Sequence, residues 1–182
     1  MSDPVTKIAT ATPGGSNSAT FGSIPGTFDD LVIIGSAKHS YTSTSSYTLN
    51  VIHVNMNGDT NNVYAWARTG ARSGSSSPSS LGSNQTTFMS FPGCSTSHSS
   101  YNNFGSGNFY LYFPSYKVTN AYKQVLGMSG YGNTAGESHG GYVVQGTYAS
   151  NSAVTSITLQ ERYGGDVYIA GSSMTLYGIS NS

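Results

Sequence analysis

The sequence predicts an all-β fold, an antiparallel β-sandwich or jelly roll in a single domain, and three observations carry that reading. Ser (32), Thr (19), Asn (14) and Gly (23) make up 88 of the 182 residues, and all four disfavour helix interiors. The chain has 14 Tyr and 7 Phe, which with its Thr and Val favour strands. No stretch of about 11 or more residues carries a 3.6-residue apolar period, whereas period-2 alternation recurs.

Taken in order, residues 7–12 and 19–24 are the first strand candidates, parted by the turn signal Pro13-Gly14-Gly15. Residues 31–37 follow Ile24-Pro25-Gly26. In residues 47–56, Tyr47, Leu49 and Val51 share one parity, then Ile52, Val54 and Met56 take the other. That switch marks a β-bulge or a strand covered on both faces. Asn57-Gly58-Asp59 reads as a hairpin turn. Further candidates are residues 63–68, 86–91, 108–113, 122–128, 142–148, 154–160, 166–170 and 174–177, with Gly164-Gly165-Asp166 and Ala170-Gly171-Ser172 as turns. About twelve short strands at such spacing read as a sandwich, and no crossover helix is available for a parallel sheet. The Ser/Gly-rich residues 72–83 are expected to form a flexible surface loop, and residues 94–103 a second one. Residues 1–15 are expected to form an N-terminal arm that orders against a neighbouring subunit or the surface of a particle to which the protein binds; residues 16–182 form the sandwich. No internal repeat supports a solenoid, propeller or fibrous shaft.

Charge excludes whole classes of partner. There are 7 basic and 7 acidic residues, 8% charged and a formal net charge of zero. Neutralising some 6–10 phosphates would consume nearly every cation in the chain, so no nucleic-acid partner is expected, nor a polybasic membrane contact. Met1-Ser2-Asp3-Pro4 is not a basic segment leading into an apolar run, so no secretory leader is expected. The longest apolar run, residues 31–34, is far short of the ~18 residues of a membrane span. Cys94 is the only cysteine and cannot form an internal disulfide.

No constellation points to catalysis. The acids are Asp3, Asp29, Asp30, Asp59, Glu137, Glu161 and Asp166, mostly beside turns or chain ends; a glycosidase needs two carboxylates about 5–10 Å apart across a cleft. His39, His53, His98 and His139 lack metal-ligand spacing; His53 reads as a half-buried strand residue. There is no G-x-S-x-G elbow, phosphate-binding glycine loop or complete EF-hand loop. We therefore expect no enzyme, no cofactor and no metal. The most suggestive cluster is aromatic: eight Tyr and Phe fall within residues 101–122. In residues 109–113 both parities are aromatic or aliphatic, so both faces of that strand are expected to be covered, the outer one by a loop or a subunit. A Tyr-rich sugar platform is the other reading. The expected subunit or partner contacts are drawn from Trp66, Phe109, Tyr110, Tyr112, Phe113 and Tyr116.

Four stretches carry a family resemblance: Ile24-Pro25-Gly26-Thr27-Phe28-Asp29-Asp30-Leu31; Met56-Asn57-Gly58-Asp59-Thr60 running to Tyr64; residues 109–123; and Thr155-Ser156-Ile157-Thr158-Leu159 with Met174-Thr175-Leu176-Tyr177-Gly178-Ile179. In order and spacing the chain resembles a group of virion structural proteins of tailed phages, common in marine phages and cyanophages. It departs at Met56, where the group has Phe, and at Pro114-Ser115-Tyr116, where an Asp-Tyr pair is expected. The resemblance implies a virion protein, assembled in a host cytoplasm. The expected function is capsid decoration, a cement protein stabilising the head surface, in the form of a homotrimer bound to the major capsid protein or other virion proteins. The alternative is a tail-fibre or receptor-binding module contacting host glycan.

Overall fold

The computed structural model describes residues 4–40, 50–72, 79–96, 107–132, 139–161 and 167–181. Among the described residues there are twelve strands and no helix: β1 (Val5–Ala11), β2 (Ser18–Phe21), β3 (Asp30–His39), β4 (Asn50–Met56), β5 (Tyr64–Arg72), β6 (Ser79–Thr86), β7 (Met89–Thr96), β8 (Gly107–Phe113), β9 (Lys123–Gly132), β10 (His139–Tyr148), β11 (Ile157–Glu161) and β12 (Ser173–Ile179).

They form two antiparallel layers. The larger runs β1-β12-β3-β8-β9-β10-β5-β6 and the smaller β2-β11-β4-β7. Strand β3 joins them because it outruns β12: Asp30–Ser36 pair with β12, and Ala37–His39 then pair in parallel with residues 94–96 of β7. All other pairings are antiparallel, so successive strands alternate in direction. Twelve strands with a β8-β9-β10 meander differ from the eight-stranded double Greek key of a jelly roll; the architecture is a β-sandwich.

The core lies between the layers. Leu31, Ile33, Leu111, Val125, Val144, Met174 and Leu176 of the large sheet meet Ile52, Val54, Met56, Met89, Ile157 and Leu159 of the small one, each at most 1% exposed. Each such side chain contributes ~1.5–3 kcal/mol through burial. The small sheet's bulkiest side chains seat on glycines of the large one: Phe91 against Gly127 and Met89 against Gly146. A side chain at either glycine would occupy that space.

Several expectations are corrected by tertiary pairing. The N-terminal arm is not left for a neighbour: β1 pairs along β12 of the same chain, from Val5 opposite Ile179 to Ala11 opposite Met174, with an irregularity between Lys7 and Ala9. Ile8, Ala9 and Ala11 pack against the core. The Ser-rich residues 72–83 are not all loop, because β6 pairs with β5 from Thr86 opposite Tyr64 to Ser79 opposite Gly70. Backbone pairing needs no apolar side chain, so composition did not reveal this strand. Asn57-Gly58 adopts φ of 56° and 65°, and Asp59 N donates to Met56 O at 3.0 Å. This is a type I′ turn, but β4 and β5 do not pair; the turn passes the chain from one sheet to the other. The parity switch in β4 is both things at once. Val51 and Ile52 are each 1% exposed, and the register against β7 jumps between Asn50 and Val51, skipping Gly93 beside Pro92, where a bulge tolerates proline. Of the strand expected at residues 166–170, the described residues 167–170 hold one bridge residue, Tyr168.

Candidate docking face

Strand parity sorts the six aromatic side chains nominated from the sequence. Phe109 and Phe113 point inward from β8 and are 4% and 1% exposed. Tyr116 lies in the β8–β9 connection, 1% exposed, and its hydroxyl donates to Pro25 O. These three have no surface to give a partner. Trp66 points inward from β5, packed against the core's edge, with the Arg68 guanidinium 5.5 Å from its ring. Only Tyr110 and Tyr112 stand on the outer face of the large sheet, both half-buried.

That outer face is where the molecule departs from an ordinary solvated surface. The described residues include six exposed large apolar side chains: Val5, Ile34, Tyr122, Leu126, Met128 and Val143. All but Tyr122 belong to this one face. Register aligns them in rows that cross the strands. The middle row reads Thr10, Thr175, Ile34, Tyr110, Met128, Val143, Thr69 and Ser80 across eight strands. The row on one side reads Lys7, Tyr177, Val32, Tyr112, Leu126, Gln145 and Ala67. The row on the other side is small: Ser173, Ser36, Asn108, Gly130, Gly141 and Ala71. Tall side chains beside short ones leave a depression of about 550 Å³ along Ile34, Tyr110 and Met128, floored by Ser36, Asn108 and Ser173. Within these three rows the one charge is Lys7, at the β1 edge.

The small sheet shows the contrast. Its outer face carries Thr20 and Thr158, whose hydroxyls hydrogen-bond at 3.0 Å, with Asn55 beside them and Ser18, Gln160, His53 and Ser90 in the next row. His53 is half-buried and stacks on Phe88 with ring centroids 3.4 Å apart. Among the described residues, the exposed large aliphatic side chains are on the large sheet's outer face alone.

Asp29, Asp30, Asp59, Lys117 and Lys123 are tied into the fold at the end of the sandwich where β3 begins. Asp30, 7% exposed, accepts from Ser115 N at 2.8 Å, Tyr112 Oη at 2.9 Å and Asn181 Nδ2 at 3.0 Å. Burial pushes its carboxyl up, but the three donors outweigh burial and hold it below the usual aspartate value. Tyr112 is pushed up to about 12, by burial first and then by that carboxylate. Asp29 is held low by Asn181 N and by Lys117, whose Nζ lies 3.1 Å away. Asp59 is held low chiefly by Asn61 N and meets Tyr148 Oη at 3.2 Å. Asn57 Oδ1 accepts from Thr155 N and Ser156 N, closing the same end. Lys123 is 2% exposed, and its Nζ donates to Ala121 O at 2.7 Å.

Among the described residues no three His, Cys, Asp or Glu side chains gather as metal ligands, and no helix is long and apolar enough to cross a membrane. Asp3, His98, Glu137 and Asp166 lie outside the described residues. Sequence reading missed Ile34, Leu126, Met128 and Val143. The signal was present as adjacent apolar pairs, Ile33-Ile34, Val125-Leu126 and Val143-Val144, which no strand with one solvated face requires. Protein-family models, curated proteins and solved structures were compared with the chain, and none matches it.

Proposed function

We propose that this protein is a non-enzymatic structural component of a phage virion surface, a capsid-decorating module that assembles through the outer face of its large sheet. The observation that carries the reading is that face: five of the six exposed large apolar side chains among the described residues lie on it, four of them in rows whose one charge is Lys7 at the margin. Monomeric proteins seldom leave such a patch open, and contiguous apolar surface beyond a few hundred Å² marks an interaction site. The resemblance in motif order to tailed-phage virion proteins, read from the sequence, suggests the setting. The acids Asp29, Asp30 and Asp59 are occupied in structural hydrogen bonds, which supports a scaffold rather than a hydrolase.

The test is the protein's place and copy number in particles of the phage that encodes it, by quantitative mass spectrometry of separated heads and tails. High copy number on heads is the expected result. Confinement to tails at low copy would move the reading to the tail-fibre alternative, and absence from particles would overturn it.

A further inference from the structure

We propose that the occupant of the large sheet's outer face is a second copy of the same face, in a two-fold symmetric pair. This names the partner of the docking face and rests on that reading.

Three features point to self-pairing. The first is shape. The row through Ile34, Tyr110 and Met128 is a ridge, and the neighbouring row through Ser36, Asn108 and Gly130 is a trough parallel to it. A two-fold axis lying in the interface along the line between them places the ridge of each copy in the trough of the other. Isologous contacts require this self-complementarity.

The second is charge. A charged surface laid on these rows would lose its hydration and find Lys7 alone to answer it, which is costly. A second copy brings the same uncharged rows, and with a net charge of zero two copies do not repel over distance. About that axis Asn108 of each copy faces Tyr110 of the other, amide to hydroxyl.

The third is size. Eight strands about 4.8 Å apart and about seven residues long at ~3.3 Å each give a face of roughly 38 by 23 Å, about 870 Å² in projection. A stable interface of standard size uses about 800 Å² per partner. Aromatic and Met side chains at its centre with hydroxyls at the margin match the anatomy of such interfaces.

The experiment is sedimentation velocity of the full chain from about 10 nM, with fluorescence detection, to about 100 µM, because interfaces of this size range from micromolar to far tighter. Alongside it run Met128→Lys, Val143→Lys and, on the polar outer face of the small sheet, Gln160→Lys. The substituted side chains are exposed in the protomer, so circular dichroism and thermal unfolding should match the parent, and two face variants guard against one misfolding. The expected result is a concentration-dependent two-protomer species, weakened at least about 30-fold by either face variant, the factor that corresponds to a hot-spot loss. Gln160→Lys leaves it unchanged. A monomer throughout the range, a trimer, or a pair that survives both face variants overturns the proposal. If the chain is monomeric yet abundant on heads, and Met128→Lys removes it from them, the docking face stands and its partner is a different virion protein.

Discussion

Replacing Asp30 is the sharpest test of how the base of the sandwich is held. The carboxylate joins three parts of the chain that are far apart in sequence: the start of β3, the β8–β9 connection through Ser115 N, and the C-terminal residues through Asn181. Ser115 sits at φ 50°, a conformation a non-glycine residue adopts only when its surroundings enforce it. In Asp30→Ala, the half-buried Tyr112 hydroxyl loses its acceptor, while the exposed Ser115 and Asn181 recover part of their loss from water. Orphaning a buried donor costs about 1–3 kcal/mol, and hydrogen bonds to charged groups are worth about 1.5–3 kcal/mol. A total near 3 kcal/mol follows, equal to a fall of roughly 6–12 °C in Tm for a chain of this size. Asp30→Asn keeps one acceptor oxygen and should lose less. The pH dependence has a definite sign. The folded carboxyl titrates below the ordinary value of 3.8, so the unfolded chain takes up a proton first as pH falls. The stabilisation is therefore present above the unfolded value and disappears as pH drops through the lower, folded one. Urea midpoints of parent and Asp30→Asn should differ at neutral pH and at pH 5, begin to converge at about pH 4, and meet only below the folded carboxyl's value. Equal midpoints at neutral pH, or a gap that does not narrow in acid, would refute the reasoning.

Two further outcomes follow from packing. A Cβ on Gly127 would lie 2.8 Å from Leu111 Cδ2 and 3.0 Å from the Phe91 ring, so Gly127→Val should cost about 1–3 kcal/mol by overpacking, read as a lower urea midpoint with an unchanged m-value; an unaltered midpoint would mean the sheets separate more easily than their packing implies. Deleting residues 1–11 removes β1, uncovers the edge of β12 and strips Ile8, Ala9 and Ala11 from the core; lower Tm and concentration-dependent light scattering are expected, and a deletion as stable and soluble as the parent would show that the arm is dispensable.

Much of the fold was legible because it rests on local chemistry. Composition excluded helix, alternation exposed β4, β11 and β12, and the Pro, Gly and Asn turn signals bounded most strands. The I′ geometry of Asn57-Gly58 was written in the dipeptide, as was the irregularity in β4 in its change of parity. What pairs with what was not written there. β6 is almost wholly Ser, Gly, Asn and Gln and is a strand because β5 offers it a backbone ladder. β1 is thinly apolar and is ordered by β12, more than 160 residues away. The candidate face was half visible: a run of aromatic side chains in residues 109–113 announced that both sides of a strand were covered, but assigned all of them alike to contacts. Only the layering of the sheets decided that Phe109 and Phe113 fill the interior while Tyr110 and Tyr112 face out, since a strand's two faces are equivalent until a second sheet covers one. Only register aligned Ile34, Tyr110, Met128 and Val143, drawn from four separate strands, into one ridge: the lateral order of strands depends on long-range pairing that no local pattern encodes.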